Sequence, residues 1–220
     1  MADLTFYTNP MSRGRIARWM LEEVGQPYET VLLEYGGSMK GADYLAINPM
    51  GKVPAIRHGD TVVTEGAAIC AYLADAFPQA GLAPPPGDPQ RGTYYRWLFF
   101  GAGPLESAVT AKAMGLLAPA DKAVMAGYGT FESVMDALES AVSGPAWICG
   151  EQFTAADVYV GAQIGWGLQF GTMEKRPAFE AYSARLRERP AAVRASQLDD
   201  ADMARVTPPQ MAQPQPQSGV

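Results

Sequence analysis

Residues 4–25, LTFYTNPMSRGRIARWMLEEVG, read as a short strand, a tight loop and a helix. Leu4, Phe6 and Tyr7 are strand formers, and Asn9-Pro10 breaks the run. Ile16, Trp19, Met20 and Val24 then recur at i, i+3, i+4 and i+8, the apolar stripe of a helix lying on a sheet. Gly25 and Pro27 end that helix. Arg13, Arg15 and Arg18 crowd its first two turns, where the macrodipole is already positive. Two readings stay open from these residues: three solvated arginines, or a docking place for a negative group at a helix N-terminus with free N–H donors.

Outward from this unit, residues 30–33 form a second strand, and the strand–helix–strand order implies parallel pairing with a right-handed crossover. Residues 34–47 are polar and glycine-rich, a loop with at most one helical turn near Tyr44. Residues 53–57 and 61–64 are two short strands around His58-Gly59-Asp60, a hairpin signature that makes them antiparallel and leaves His58 exposed at the turn. Residues 65–77 are helical, with Ile69, Leu73 and Phe77 at four-residue spacing and Cys70 on the same buried side. The order βαβ then ββα predicts an α/β domain over residues 1–80 with a mixed four-stranded sheet.

A proline-rich linker over residues 81–89 then changes the composition. Beyond it the pattern is all helical, an α-helical bundle over residues 90–205. One long aromatic helix spans 88–114 with a kink at Gly103-Pro104, and a second spans 119–142. A third opens at Thr154, whose spacing to Asp157 is that of a capping box flanked by Phe153 and Val158 as a hydrophobic staple. A fourth covers 177–189, with a short one after Pro190. Residues 206–220 are Pro/Gln-rich and read as a disordered tail.

Hydrophobic residues make up 48% of the 220, which excludes global disorder. The net charge of −6 argues against nucleic acid or an anionic membrane as partner. Cys70 and Cys149 are the only cysteines, without CxxC spacing, and His58 is the only histidine, so zinc sites and Ser-His-Asp catalysis are not expected. The longest apolar stretch, 97–120, is interrupted by Glu106, Lys112 and two prolines, so no membrane span is expected. With no signal-peptide layout at the N-terminus, the expected location is cytoplasmic.

Four stretches in this order carry a resemblance: FYTNPMSRGR at 6–15, NPMGKVPAI at 48–56, TEGAAICAYL at 64–73 and GEQFTAADVYV at 150–160. Together they resemble the cytosolic glutathione S-transferases, whose thioredoxin-like domain is followed by an all-helical one, and the resemblance covers residues 4–200. It implies a thioredoxin-like first domain, glutathione as co-substrate, no metal and a homodimer. It further implies that Val53 pairs its backbone with the cysteinyl unit of glutathione and that Pro54 is cis. Glu65 and Gly66 would open the third helix on the γ-glutamyl carboxylate, with Glu65 taking the α-amino group and Lys52 assisting a carboxylate.

The chain departs from the family pattern twice. Gly66 stands where the family commonly has Ser, so that carboxylate must rest on backbone N–H groups. The tyrosine that activates the thiol in some families aligns with Asn9; the serine or cysteine of others aligns with Ser12; Tyr7 reaches the site only through a gap. Ser12 is the assigned activator and Asn9 the alternative. Ser12 is also suited to cap the first helix, although Arg15 stands where a capping box wants Glu or Gln. The implied reaction is attack of the glutathione thiolate on a hydrophobic electrophile, in a cleft that Met11 and the kinked aromatic helix line. A glutathione-dependent isomerase, dehalogenase or peroxidase shares that thiolate, and a non-catalytic glutathione-fold binding module is the reading from another class.

Overall fold

The structure is a computed structural model and describes residues 3–206; the Pro/Gln-rich tail expected from 206 onward lies, past its first residue, outside the described residues. Strand β1 (Leu4–Thr8) leads through a loop into α1 (Gly14–Val24) and back into β2 (Glu29–Leu32). A 3-10 turn (Ser38–Lys40) and one short helix, α2 (Ala42–Leu45), precede β3 (Ala55–His58), β4 (Thr61–Thr64) and α3 (Gly66–Ala76). The sheet order is β2-β1-β3-β4, with β1 and β2 parallel and the other pairs antiparallel. The mixed four-stranded sheet of the sequence reading is therefore what forms.

Alternation along β1 divides the core. Leu4 and Phe6 point to the face covered by α1 and α3, where Ile16, Met20, Ile69 and Leu73 are buried. Tyr7 points to the other face and packs with Leu33, Met39, Tyr44 and Ala55. His58 does not sit at an exposed turn: it ends β3 half-buried, with Nδ1 2.9 Å from the Tyr72 hydroxyl and its ring against Phe77. Period-2 patterning does not register a partner arriving from a helix fourteen residues on.

The second half is helical. The long helix expected over 88–114 is three segments: α4 (Gln90–Phe100), a π-helical turn (Gly101–Leu105) containing Pro104, and α5 (Glu106–Ala113). Proline has no N–H to give to the ladder, and a wider turn absorbs the mismatch. The helix expected over 119–142 is also broken: a 3-10 stretch (Ala120–Met125) is separated from α6 (Phe131–Val142) by a turn in which Gly129 takes a left-handed φ of 66°. Thr130 then caps α6.

The central helix α7 (Ala155–Phe170) starts at the predicted capping box. Helix α8 (Pro177–Arg187) follows, and the element after Pro190 is not short: α9 (Pro190–Met203) has 14 residues. Helix α9 packs on α1, so α1 is covered by the sheet on one side and by helices on the other. That is why Ala17, Arg18 and Leu21 are buried in addition to the predicted stripe.

Candidate active site

The loop from β1 to α1 is tied down by its own side chains. Asn9 is fully buried; its Nδ2 donates to Leu33 O at 2.7 Å, and its Oδ1 accepts from Met11 N–H at 2.9 Å. Ser12 Oγ donates to Asn9 O at 2.6 Å and accepts from Gly14 N–H at 2.9 Å. A hydroxyl has one proton, so Ser12 spends it on the loop.

The three arginines find their anions within the chain. Arg18 donates from Nε to Asp199 at 2.8 Å and from Nη2 to Asp202 at 2.6 Å, in a buried cluster between α1 and α9. Arg15 binds Pro10 O and Asp200. Arg13 lies 3.1 Å from Glu106 on α5 and stays half exposed. Of the two readings left open for this helix end, neither describes Arg18, which is buried rather than solvated, and the charges of Arg15 and Arg18 are taken up by α9 rather than by an external anion.

A second loop is built with similar rigidity. Asn48 accepts from Met50 N–H and donates to Lys52 O at 2.8 Å; Tyr44 donates its hydroxyl to the same carbonyl at 2.6 Å; Lys40 reaches Met50 O and Gly51 O. The Val53–Pro54 peptide is cis, and both residues precede β3, outside its ladder. Burial pushes the Tyr44 phenol up to about 12, so it stays neutral as the donor that anchors Lys52.

At the far side of the cleft, Glu65 precedes α3 with φ 66° and ψ 121°, the one non-glycine residue among those described with positive φ. A strained backbone persists where its surroundings hold it, often at a binding site. No side chain caps α3, and its first helical bond runs from Ile69 N–H to Glu65 O, so the donors of Gly66, Ala67 and Ala68 lie ahead of the ladder.

These pieces enclose a cleft of about 330 Å³ lined by Arg13, Lys52, Val53, Pro54, Glu65 and Gly66, closed by Glu106 and Tyr159. Of the residues singled out from the sequence, Lys52, Val53, Pro54, Glu65 and Gly66 come together there. Ser12 and Met11 sit half-buried in the neighbouring loop, and Asn9 lies beneath it. A larger hollow of about 560 Å³ lies between α1, α7, α8 and α9.

Sequence models of the glutathione S-transferase N-terminal and C-terminal domains match residues 11–76 and 104–190. The glutathione S-transferase GstA of Escherichia coli O157:H7 is 32% identical over 152 residues, covering 68% of this chain and 75% of the relative. The chain belongs to the glutathione S-transferase family. A glutathione transferase structure from Methylococcus capsulatus is 29% identical, with a TM-score of 0.74 over 90% of this chain and 99% of that one. The transferase URE2P6 of Phanerochaete chrysosporium, solved with oxidized glutathione, is 26% identical with a TM-score of 0.74, over 91% of this chain and 97% of that one.

The transferase's own thiols are enclosed by the fold. Both cysteines are buried, and burial pushes the Cys70 thiol up and the Cys149 thiol up to about 11, far from a thiolate at neutral pH. No helix of its described residues is long and apolar enough to cross a membrane. Sequence reasoning missed the residues that hold the site in place: Lys40, Tyr44 and Asn48 under the Lys52 loop, and Glu106 and Tyr159 from the helical half. Asn48 and Tyr159 stand within the stretches NPMGKVPAI and GEQFTAADVYV without a role of their own, Tyr44 reads only as part of a helical turn and Glu106 only as a break in an apolar stretch, and Lys40 carries no local signal.

Proposed function

We propose that the transferase conjugates the thiolate of glutathione to a hydrophobic electrophile. The observation that carries this reading is the cleft, in which a main-chain segment outside the ladder at Val53 faces the uncapped N-terminus of α3 beside the strained Glu65. An extended anionic tripeptide needs both: an edge to pair with and N–H groups for a carboxylate. In this reading Val53 pairs with the cysteinyl unit, Gly66 and Ala67 donate to the γ-glutamyl carboxylate, Glu65 takes the α-amino group and Lys52 assists a carboxylate. The thiol gives its proton to solvent, and the sulfur lone pair forms the new bond to carbon as the electrophile's leaving group or π electrons depart. Met11 belongs to the apolar side, where the electrophile sits.

Ser12 is the hydroxyl assigned to the thiolate. Donating to sulfur means giving up Asn9 O, so its contribution is a difference between two hydrogen bonds. A bond to a charged acceptor is worth ~1.5–3 kcal/mol and a neutral one ~0.5–1.5, leaving a net of ~1 kcal/mol. That corresponds to a thiol pKa lowered by a little under ~1 unit. Calorimetry should show binding of millimolar glutathione to the wild type and to Ser12→Ala alike, while ultraviolet absorbance of the bound thiolate shows the pKa rising in the variant. No heat with the wild type would remove the glutathione reading; binding with an unmoved thiol pKa would remove Ser12 alone.

The reading extends to a cytoplasmic homodimer. Tyr95 and Phe99 project from α4, with Phe99 73% exposed, and Met50 is 66% exposed on the Lys52 loop. An isologous contact would cover such side chains. Sedimentation at micromolar concentration should give twice the 23.5 kDa chain mass; a single 23.5 kDa species counts against it.

A further inference from the structure

Gly66 does not face open space. A Cβ on it would lie 3.1 Å from Cε2 of Tyr159, tighter than nearly all real Cβ contacts. The opposite edge of the same ring lies against Gly101 in the π-helical turn, where a Cβ would come 3.0 Å from Cδ1 and 3.1 Å from Cε1. The ring of a helical-domain residue is therefore seated between two glycine backbones, one of them the first residue of α3. It is 4% exposed and lines the cleft. Its hydroxyl lies 3.3 Å from Glu106 Oε2, with Gln163 Nε2 donating to it at 3.4 Å, and the other oxygen of Glu106 meets Arg13. Burial and the neighbouring Glu106 carboxylate push the phenol up, so it stays neutral.

We propose that Tyr159 is a positioning residue of the glutathione site, coupled to Gly66. Its ring packs against Gly66 on the side where a side chain would stand, and holds the start of α3 against the helical domain while Glu65 and Ala68 stay exposed. This deepens the glutathione reading and rests on it. The physical exchange is between a hydroxyl and a backbone held in place. A serine at 66 would add one donor for the γ-glutamyl carboxylate, but its Cβ would press on the ring and force the two apart by a few tenths of an ångström. With glycine, the ring fixes where the main-chain donors of Gly66 and Ala67 stand, and a carboxylate meets them without their having to reorganise. Glycine at 66, tyrosine at 159 and glycine at 101 thus form one unit spanning both domains, and the residue common in the family does not fit it alone.

The test is a double-mutant cycle read by calorimetry with glutathione itself. Gly66→Ser and Gly66→Ala should each weaken binding by about ten-fold in the presence of Tyr159, because the added Cβ pushes the start of α3 and the ring apart and moves the main-chain donors off the carboxylate. Tyr159→Ala should also weaken binding, because the start of α3 then loses the ring that holds it. The double variant Gly66→Ser/Tyr159→Ala should bind several-fold more tightly than Tyr159→Ala alone, with the hydroxyl now free to donate. Tyr159→Phe, which keeps the ring, should bind close to wild type. Thermal unfolding of each variant separates a fold effect, which would shift the midpoint and leave affinity among folded molecules unmoved. Strictly additive losses, or a Gly66→Ser protein that binds as well as wild type, overturn the coupling while leaving the glutathione reading intact. A wild type that binds no glutathione overturns both.

Discussion

Arg18→Ala is expected to cost ~3–5 kcal/mol of folding stability, the usual result of removing one partner from a buried ion cluster. The side chain is 3% exposed, and its loss leaves Asp199, 1% exposed, without its hydrogen-bonded counter-charge and with only the field of Arg15; Asp202 retains only Arg205 at 2.9 Å. Burial pushes the Asp199 carboxyl up to about 6 even beside Arg18, which pulls the other way. Because that lies above the ~3.9 of an unfolded chain, the folded state holds this proton more tightly. The group's stability contribution is full below the unfolded value and is lost as pH rises through about 6. Without Arg18 the carboxyl rises further. The loss should therefore be smallest near pH 5 and grow toward pH 8, measured by denaturant unfolding at both. A pH-independent loss under ~1 kcal/mol would show that the cluster behaves as a surface pair does. Arg18→Lys should recover only part, since one ammonium cannot address two carboxylates in the guanidinium's fork geometry.

Asp157→Ala is expected to cost about as much by a different route. Its Oδ1 accepts from Ile148 N–H at 2.8 Å and the Tyr182 hydroxyl at 2.6 Å, and its Oδ2 from Thr154 N–H at 2.8 Å and the Thr154 hydroxyl at 3.0 Å. All of this is buried around the start of α7. Each orphaned donor costs ~1–3 kcal/mol, and relaxation among neighbours keeps the total near ~3–5. Asp157→Asn retains an acceptor oxygen and should lose roughly half as much. The measurement is the unfolding midpoint of both variants, with hydrogen exchange of the Ile148 and Thr154 amides. Unchanged protection there would mean the carboxylate is not what holds the helix start.

Much of the fold was legible because its signals are local. The stripe Ile16-Trp19-Met20-Val24, the Gly59-Asp60 hairpin and the Thr154–Asp157 box each lie within a few residues, where backbone geometry and side-chain chemistry dictate one answer. The box was readable as a helix start, but not as a four-donor hub, because Ile148 and Tyr182 belong to segments on either side of it. Breaks inside helical stretches were less legible. A left-handed turn at Gly129 separated a 3-10 stretch from α6 where one helix was expected, and Pro104 widened another helix into a π-helical turn where a simple kink was expected.

By itself the sequence determined a strand–helix–strand unit, a hairpin and helix after it, a helical second half, and the four motifs that mark the family. It also placed a surplus of positive charge at the start of α1. Only the tertiary structure decided what meets that charge, because Arg18 and Asp199 are 181 residues apart and an external anion would satisfy the same electrostatics. The same holds for Ser12, whose proton goes to a carbonyl three residues back, and for Gly66, whose missing side chain is answered by a ring 93 positions later in the numbering. Local chemistry states what a residue can donate, accept or leave empty; which of those options is used depends on what the fold brings within three or four ångströms.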